Sequence, residues 1–488
     1  MFKLLVSQSG WSVIGSLFAF TVGFFVKIYL VNAIGTESFG QYVLGQTLVI
    51  TVQVFIALAI PQVFLRFLPV YIEKNDLSEA NSVTSTGVLY LLSSSILCML
   101  VMMFFNDRIA SLFGGGTILA QIFFWSSLYI PLTLYLTAIN SIYRSLFKIK
   151  ELILYVTVLQ VIIRALLTFI VFYFSNDVIH FIYIEIIALL IVVTVMTFKS
   201  RYEQINIFGN VNINSFTHNN DLKRYLVHMY LYALVGFFSS HLITLIMGLH
   251  LPSSDIGIYA ILTTISGLAS FILVSLNSVF APIISKLHAN GEMEQLERLF
   301  KDATFLINII TSPFILILVI FGEDVLSLYG GSVSEYGNFL IILIIGSYVN
   351  LFVGNTGMML LMGGGERTEL KIRIFVNTII AVCSMSIIPY FGLLSAVIIN
   401  STSLALANIL QVVYIKKRFG FFPWDKNAFA MLLITLPLIG IFGFYEWKVF
   451  GSVTEYLSYS LSIVLAYILI FNKKLISLYT KFKLIRKV

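Results

Sequence analysis

Runs of about 20 apolar residues, the length needed to cross the hydrocarbon of a bilayer as an α-helix, recur from one end of this chain to the other. They fall at 10–32, 41–70, 83–105, 117–143, 152–174 and 178–198, then at 225–249, 257–285, 303–321, 338–362, 372–390 and 393–415. Two more lie at 428–445 and 456–471. Hydrocarbon offers no water to backbone N–H and C=O groups, so such runs must close their hydrogen bonds within each segment as helices. The expected fold is an all-α integral membrane protein with about 14 transmembrane helices. Composition agrees: only 11% of residues are charged, whereas a soluble domain carries about a quarter. The first run is long for a signal-peptide core and has no convincing cleavage site, so it reads as a retained first helix.

The basic residues test this count, because a missed or invented span would scramble their alternation between sides. Of the 30 Lys and Arg residues, Lys27, Arg66 and Arg164 fall inside runs, and Arg108 and Lys448 fall in loops on the side opposite the amino terminus. The other 25 lie on the amino-terminal side. The rule that cytoplasmic loops hold the positive charge then places both termini in the cytoplasm and makes the number of spans even.

The loop 199–224 is the longest polar stretch, is rich in asparagine and follows the sixth run. The expected organisation is an amino-terminal six-helix lobe (1–198), a cytoplasmic linker (199–224), a second six-helix lobe (225–415), two further helices (416–471) and a basic cytoplasmic tail (472–488). Internal similarity supports two lobes. After the first run the chain reads Thr36-Glu37-Ser38-Phe39-Gly40-Gln41-Tyr42, and after the seventh Ser253-Ser254-Asp255-Ile256-Gly257-Ile258-Tyr259. Gly40 and Gly257 share one offset with Tyr42 and Tyr259. With six helices per lobe, both repeats run the same way through the membrane. The tail, from Lys473 on, reads as a topology anchor on the anionic leaflet.

No hydrophilic stretch is long enough for an appended soluble enzyme, and no G-x-x-x-x-G-K-[ST] phosphate loop is present. Gly363-Gly364-Gly365-Glu366-Arg367 reads as a cytoplasmic turn, and Gly114-Gly115-Gly116 as an outer one. The six histidines lack paired ligand spacing. Cys98 and Cys383 both sit in apolar runs, so neither a disulfide framework nor a thiolate metal site is indicated. Nothing calls for a cofactor, a metal or a nucleic acid partner. A transporter fits better than an enzyme.

Charges within spans are costly and usually face a partner or a wet cavity. At 1.5 Å per residue, Arg164 lies roughly 15 Å and Glu185 roughly 10 Å from the outer ends of the fifth and sixth runs. They are close enough in depth to pair, either as an ion-responsive couple or as a structural salt bridge. Lys27 and Arg66 either snorkel to headgroups or line a cavity and attract phosphates. His241, beside Ser239 and Ser240, either titrates near neutral pH or is a hydrogen-bonded interior residue. Asn350, Asn355 and Thr356 make the tenth run polar and either meet sugar hydroxyls or join helices. Three bases against one acid in the amino-terminal lobe suggest an anionic substrate group.

Ser9-Gly10-Trp11, the stretch Gly35 to Tyr42, Pro69-Val70-Tyr71, and Ala281-Pro282-Ile283-Ile284-Ser285-Lys286-Leu287 together resemble the Wzx-type polysaccharide flippases. These belong to the superfamily of the MATE exporters and MurJ lipid II flippases. The resemblance covers essentially the whole chain. It implies two lobes around a cavity open alternately to each side. It implies a substrate of undecaprenyl-pyrophosphate-linked oligosaccharide, moved to the outer leaflet of the bacterial cytoplasmic membrane. It also implies a polysaccharide polymerase and glycosyltransferases as working partners, alongside membrane lipids. Lys27 and Arg66 are the cavity bases it carries over, and the last two helices would hold the lipid tail. No paired base stands in the eighth run, where MurJ would have one. A MATE-like cation-coupled exporter would instead have acidic cavity residues. A membrane glycan polymerase or ligase would show a large outer loop rich in Arg or His, and these loops are short and poor in both.

Overall fold

The computed structural model describes residues 2–202, 209, 211–212, 216, 220–444 and 453–485. Lys448, Arg486, Lys487 and much of the 199–224 loop lie outside them. Among the described residues every regular element is a helix. Among these residues, ten helices are long and apolar enough to cross a membrane, or eleven if the bent pair Thr454–Ile470 and Asn472–Leu478 is counted as one span. The chain is a multi-span membrane protein.

It divides into two compact units, Met1–Gly257 and Ile258–Val488. This division differs from the lobe boundary read from the 199–224 loop. The seventh apolar run, in α9 (Asn220–His250), falls in the first unit, where it packs on α1 (Phe2–Ala57) and α2 (Ile60–Glu73).

In the first unit, α1 is 56 residues long but leaves helical geometry at Gly35, where φ is 80°. A left-handed φ costs glycine little because it has no Cβ. The apolar run 10–32 therefore sits on one segment of α1, and the run 41–70 begins on the segment after the break and continues into α2. A second break follows at Leu58 and Ala59, both with positive φ. Pro61 then stands in the first turn of α2, where its missing N–H is no loss.

α3 (Leu77–Phe104) starts on Asp76, whose side chain accepts from the Glu79 N–H at 3.1 Å. α2 packs on α3 at Gly87, where a Cβ would come within 2.6 Å of Phe64. Along α3, Leu89, Ile96, Leu97, Leu100, Val101 and Phe104 are exposed. In water such a stripe would be an aggregation hazard; in a bilayer it is the lipid face. α4 (Asn106–Leu112), α5 (Thr117–Ser126), α6 (Tyr129–Ser145), α7 (Leu159–Phe172) and α8 (Val178–Tyr202) complete the unit, with a π-helical stretch at Leu152–Val158. α6 is its centre: Ala138, Ile139 and Tyr143 are fully buried.

In the second unit, α10 (Ser253–Ser266, which crosses the unit boundary) and α11 (Ser270–Ala289) share the eighth run. α12 (Met293–Ile320) is the most buried span. The tenth run breaks at Gly354, φ 68°, between α13 (Gly337–Phe352) and α14 (Thr356–Met362). α15 (Glu366–Phe419) carries the eleventh and twelfth runs through a break at Gly392, φ 60°. α13 meets α15 where a Cβ on Gly346 would lie 2.4 Å from the Ser401 hydroxyl. α16 (Lys426–Phe444) and α17 (Val453–Ile470) follow, and α18 (Asn472–Ile485) turns away from α17 by 71°.

α18 is pinned by Lys474, whose Nζ lies 2.9 Å from Asp302 and 2.8 Å from Asp425. Asp425 also accepts from the N–H groups of Asn427 and Ala428 at the start of α16. Burial works against ionising Asp425, but Lys474 and those amides outweigh it and hold its carboxyl below the usual carboxylate range. Burial likewise opposes the Lys474 charge, and the two aspartates push its ammonium above the usual lysine value.

Candidate anion-binding site

α7 and α8 are adjacent antiparallel helices, so Arg164 and Glu185 come level across their interface. Arg164 Nη1 donates to Glu185 Oε1 at 3.1 Å, and the two side chains are 25% and 11% exposed. The pairing expected from depth is thus present. Three further donors converge on Glu185 Oε2. These are the Tyr42 hydroxyl at 2.7 Å, the Tyr129 hydroxyl at 3.0 Å and Gln46 Nε2 at 3.4 Å. The Tyr42 ring is packed between Phe39 and Phe181, which fixes its hydroxyl.

Tyr42, Gln46 and Tyr129 were not singled out as site residues in the sequence. Their signal is rotational: Tyr42, Gln46 and Gln53 fall on one face of α1, facing Tyr129 and Thr133 one turn apart on α6. Gln53 donates to the Thr133 hydroxyl, which continues the same polar seam.

Glu185 occupies one edge of the Arg164 guanidinium. Its Nε is buried with no hydrogen-bond partner. Its Nη2 lies over α1 at Gly23, where a Cβ would sit 3.5 Å away. Lys27 is one turn further along that face, close enough to feel the Arg164 charge, with its ammonium 5.9 Å from the Phe39 ring. Lys27 and the Arg164 guanidinium thus lie against one face of α1.

The other sequence-selected residues lie elsewhere. Arg66 is exposed on α2, with its guanidinium carbon 4.4 Å from the Tyr225 ring and 5.6 Å from Phe67. His241 stacks on Phe237 of its own helix, centroids 5.3 Å apart. Asn350 is half-buried and Asn355 is buried, both within the second unit. Asn350 accepts from Asn408 at 2.9 Å, and Asn355 is 3% exposed.

The network around them centres on Glu369, fully buried and missed in the sequence because it precedes the apolar run. Arg373 Nε donates to it at 2.6 Å, and Gln411 Nε2 donates to both its oxygens at 3.1 and 2.9 Å. Gln411 in turn accepts from Thr356 at 2.7 Å. This network ties α13, α14 and α15 together. Among the described residues no group of three His, Cys, Asp or Glu is placed to hold a metal ion.

Comparison with known proteins now identifies the family. Residues 34–335 match the family model described as polysaccharide biosynthesis protein. The probable flippase AglR of Haloferax volcanii is 27% identical over 253 residues, 48% of this chain and 52% of that one. The capsular polysaccharide biosynthesis protein CapF of Staphylococcus aureus is 24% identical over 225 residues, 46% of this chain and 56% of that one. The chain thus spans about half the length of the curated relatives it matches.

Among solved structures, the lipid II flippase MurJ in an inward closed conformation superimposes with a TM-score of 0.74. That match has 14% identity and covers 96% of this chain and 99% of that one. An inward-facing MATE transporter of the MOP superfamily gives 0.67 at 14% identity, over 82% and 94%. The fold is that of MATE transporters and MurJ, and the chain belongs to the polysaccharide biosynthesis protein family.

Proposed function

We propose that this protein is a flippase for lipid-linked glycans. It would move an oligosaccharide joined through pyrophosphate to undecaprenol from the cytoplasmic to the outer leaflet of the bacterial cytoplasmic membrane, by alternating access. The supporting observation is the placement of Lys27 and Arg164 against one face of α1, with Arg164 anchored by Glu185 and its buried Nε left without a hydrogen-bond partner. A diphosphate cannot cross hydrocarbon unaided: even one charged side chain at the bilayer centre costs about 3 kcal/mol on the mildest scale. Buried cations replace the water that the phosphates lose, while the polyprenyl chain stays in lipid.

In this reading the breaks at Gly35 and Gly392 turn α1 and α15 into two crossings each, consistent with 14 crossings in two six-helix lobes and an added pair. Both termini lie in the cytoplasm. Glycosyltransferases supply the substrate on that side and a polymerase consumes it outside. Glu185 acts as the anchor of Arg164, its two oxygens accepting from Arg164, Tyr42, Tyr129 and Gln46. Export of organic cations, as in a MATE-like exporter, would need the opposite charge balance in the cavity.

The test is to deplete the protein in cells and follow which leaflet holds the completed lipid-linked oligosaccharide. Accumulation facing the cytoplasm is expected. Continued appearance of those units in the outer leaflet would remove the flippase reading.

A further inference from the structure

Two glycines set apart in the sequence by their shared repeat offset prove to touch. A Cβ on Gly40 would lie 1.7 Å from the backbone oxygen of Ser253 and 2.8 Å from the nitrogen of Gly257. A Cβ on Gly257 would lie 2.1 Å from the backbone oxygen of Thr36 and 3.1 Å from the nitrogen of Gly40. The contact is reciprocal: Thr36 and Ser253 stand at the same repeat offset as Gly40 and Gly257. α1 and α10 thus cross backbone on backbone, at a point related to itself by the internal repeat. Such an approach is open only to glycine, and Cα–H groups aimed at carbonyl oxygens stabilise it.

Two residues beyond each glycine stands a tyrosine. Tyr42 donates to Glu185, the anchor of Arg164, and Asn400 donates to the Tyr259 hydroxyl. The crossing is therefore half a helical turn from the residue that holds the candidate anion site.

Resting on the flippase reading, we propose that the Gly40–Gly257 crossing is the outer gate. It is closed in this structure, it must part for the outer side to open, and Tyr42 couples its state to the Arg164–Glu185 pair. Self-complementarity explains why both glycines are needed: a methyl on either side forces the helices from the closed contact toward ordinary van der Waals separation, beyond about 3.4 Å. Packed interiors respond to such a change by switching arrangement rather than by stretching.

The experiment uses the full chain in liposomes with Cys98 and Cys383 replaced by serine and cysteines placed at the repeat-equivalent positions Glu37 and Ser254. Spin labels there should report one short distance in the parent protein. Gly40→Ala and Gly257→Ala should each shift the distribution to longer distances, and Gly236→Ala, where a Cβ meets open space, should not. Bridging the two cysteines with a short reducible cross-linker should lower transport of lipid-linked oligosaccharide at least tenfold, with recovery on reduction. This arm keeps both glycines, so it decides the matter if the alanine variants fail to insert. Transport that continues across the bridge, or unchanged distances in folded alanine variants, would overturn the gate. If the distances shift as expected while the parent protein moves no lipid-linked oligosaccharide, the substrate reading falls and the gate stands.

Discussion

Each compact unit buries a carboxylate against an arginine, and the two pairs are built for different ends. In the second unit, Glu369 and Arg373 stand four residues apart on α15, and Gln411 covers both carboxylate oxygens. Charge is balanced, and the network is spent on joining α13, α14 and α15 around the break at Gly354. In the first unit the partners lie on different helices, and Lys27 adds a second cation nearby. Three neutral donors hold the acid, while one nitrogen of Arg164 stays unpaired. The lesson is that a buried ion pair gains a candidate function from what it leaves unsatisfied, not from being an ion pair.

The sharpest way to break this contrast is Arg164→Ala. Glu185 keeps Tyr42, Tyr129 and Gln46, so the protein should still insert, while transport falls about 100-fold, equivalent to roughly 2.7 kcal/mol. A leaflet assay beside a membrane abundance measurement checks both. Near-normal transport would take Arg164 out of the mechanism.

Glu369→Gln should act the other way. It removes one partner of a buried pair, at about 2–3 kcal/mol once the partial exposure of Arg373 is allowed for. The thermal midpoint in detergent should drop by several degrees while the folded fraction transports at the parent rate. Lost transport at unchanged stability would reverse the roles of the two units.

Lys27→Gln sharpens the first site, with pyrophosphate binding expected to weaken about tenfold, near 1.4 kcal/mol. Titration of the purified protein with inorganic pyrophosphate measures it, and unchanged affinity would assign Lys27 to the headgroup region.

The smallest effect belongs to Lys474→Met, a drop in thermal midpoint of no more than a few degrees, as befits a partly exposed bridge. The Asp425 carboxyl is depressed, so its contribution is complete above its ordinary value of 3.8 and is lost as pH falls through its lower folded value. The Lys474 ammonium is raised, so its contribution holds below 10.5 and is lost as pH rises through its higher folded value. Parent and variant should therefore differ by the same amount from pH 5 to 9. Melting curves at pH 5, 7 and 9 test this, and a difference that changes within that window would break the assignment.

Hydropathy and charge were legible one residue at a time, because hydrocarbon thickness fixes helix length. Hence the apolar runs, the all-helical class and the level depths of Arg164 and Glu185 could be read directly. The repeat offset of Gly40 and Gly257 was legible too, though not its consequence. What lay beyond reach depended on rotation and crossing. Tyr42, Gln46 and Tyr129 meet Glu185 only because α1 and α6 turn those faces toward α8. Asn355 is buried by packing that its place in the tenth run does not reveal. Glu369 lies outside its apolar run and is drawn in by Gln411, 42 residues away.

The sequence alone determined which segments enter the membrane, because transfer into hydrocarbon is a sum over local side chains. Only the tertiary structure decided which polar groups find one another there. That depends on helix rotation, on backbone breaks at glycine, and on contacts between residues far apart in the chain.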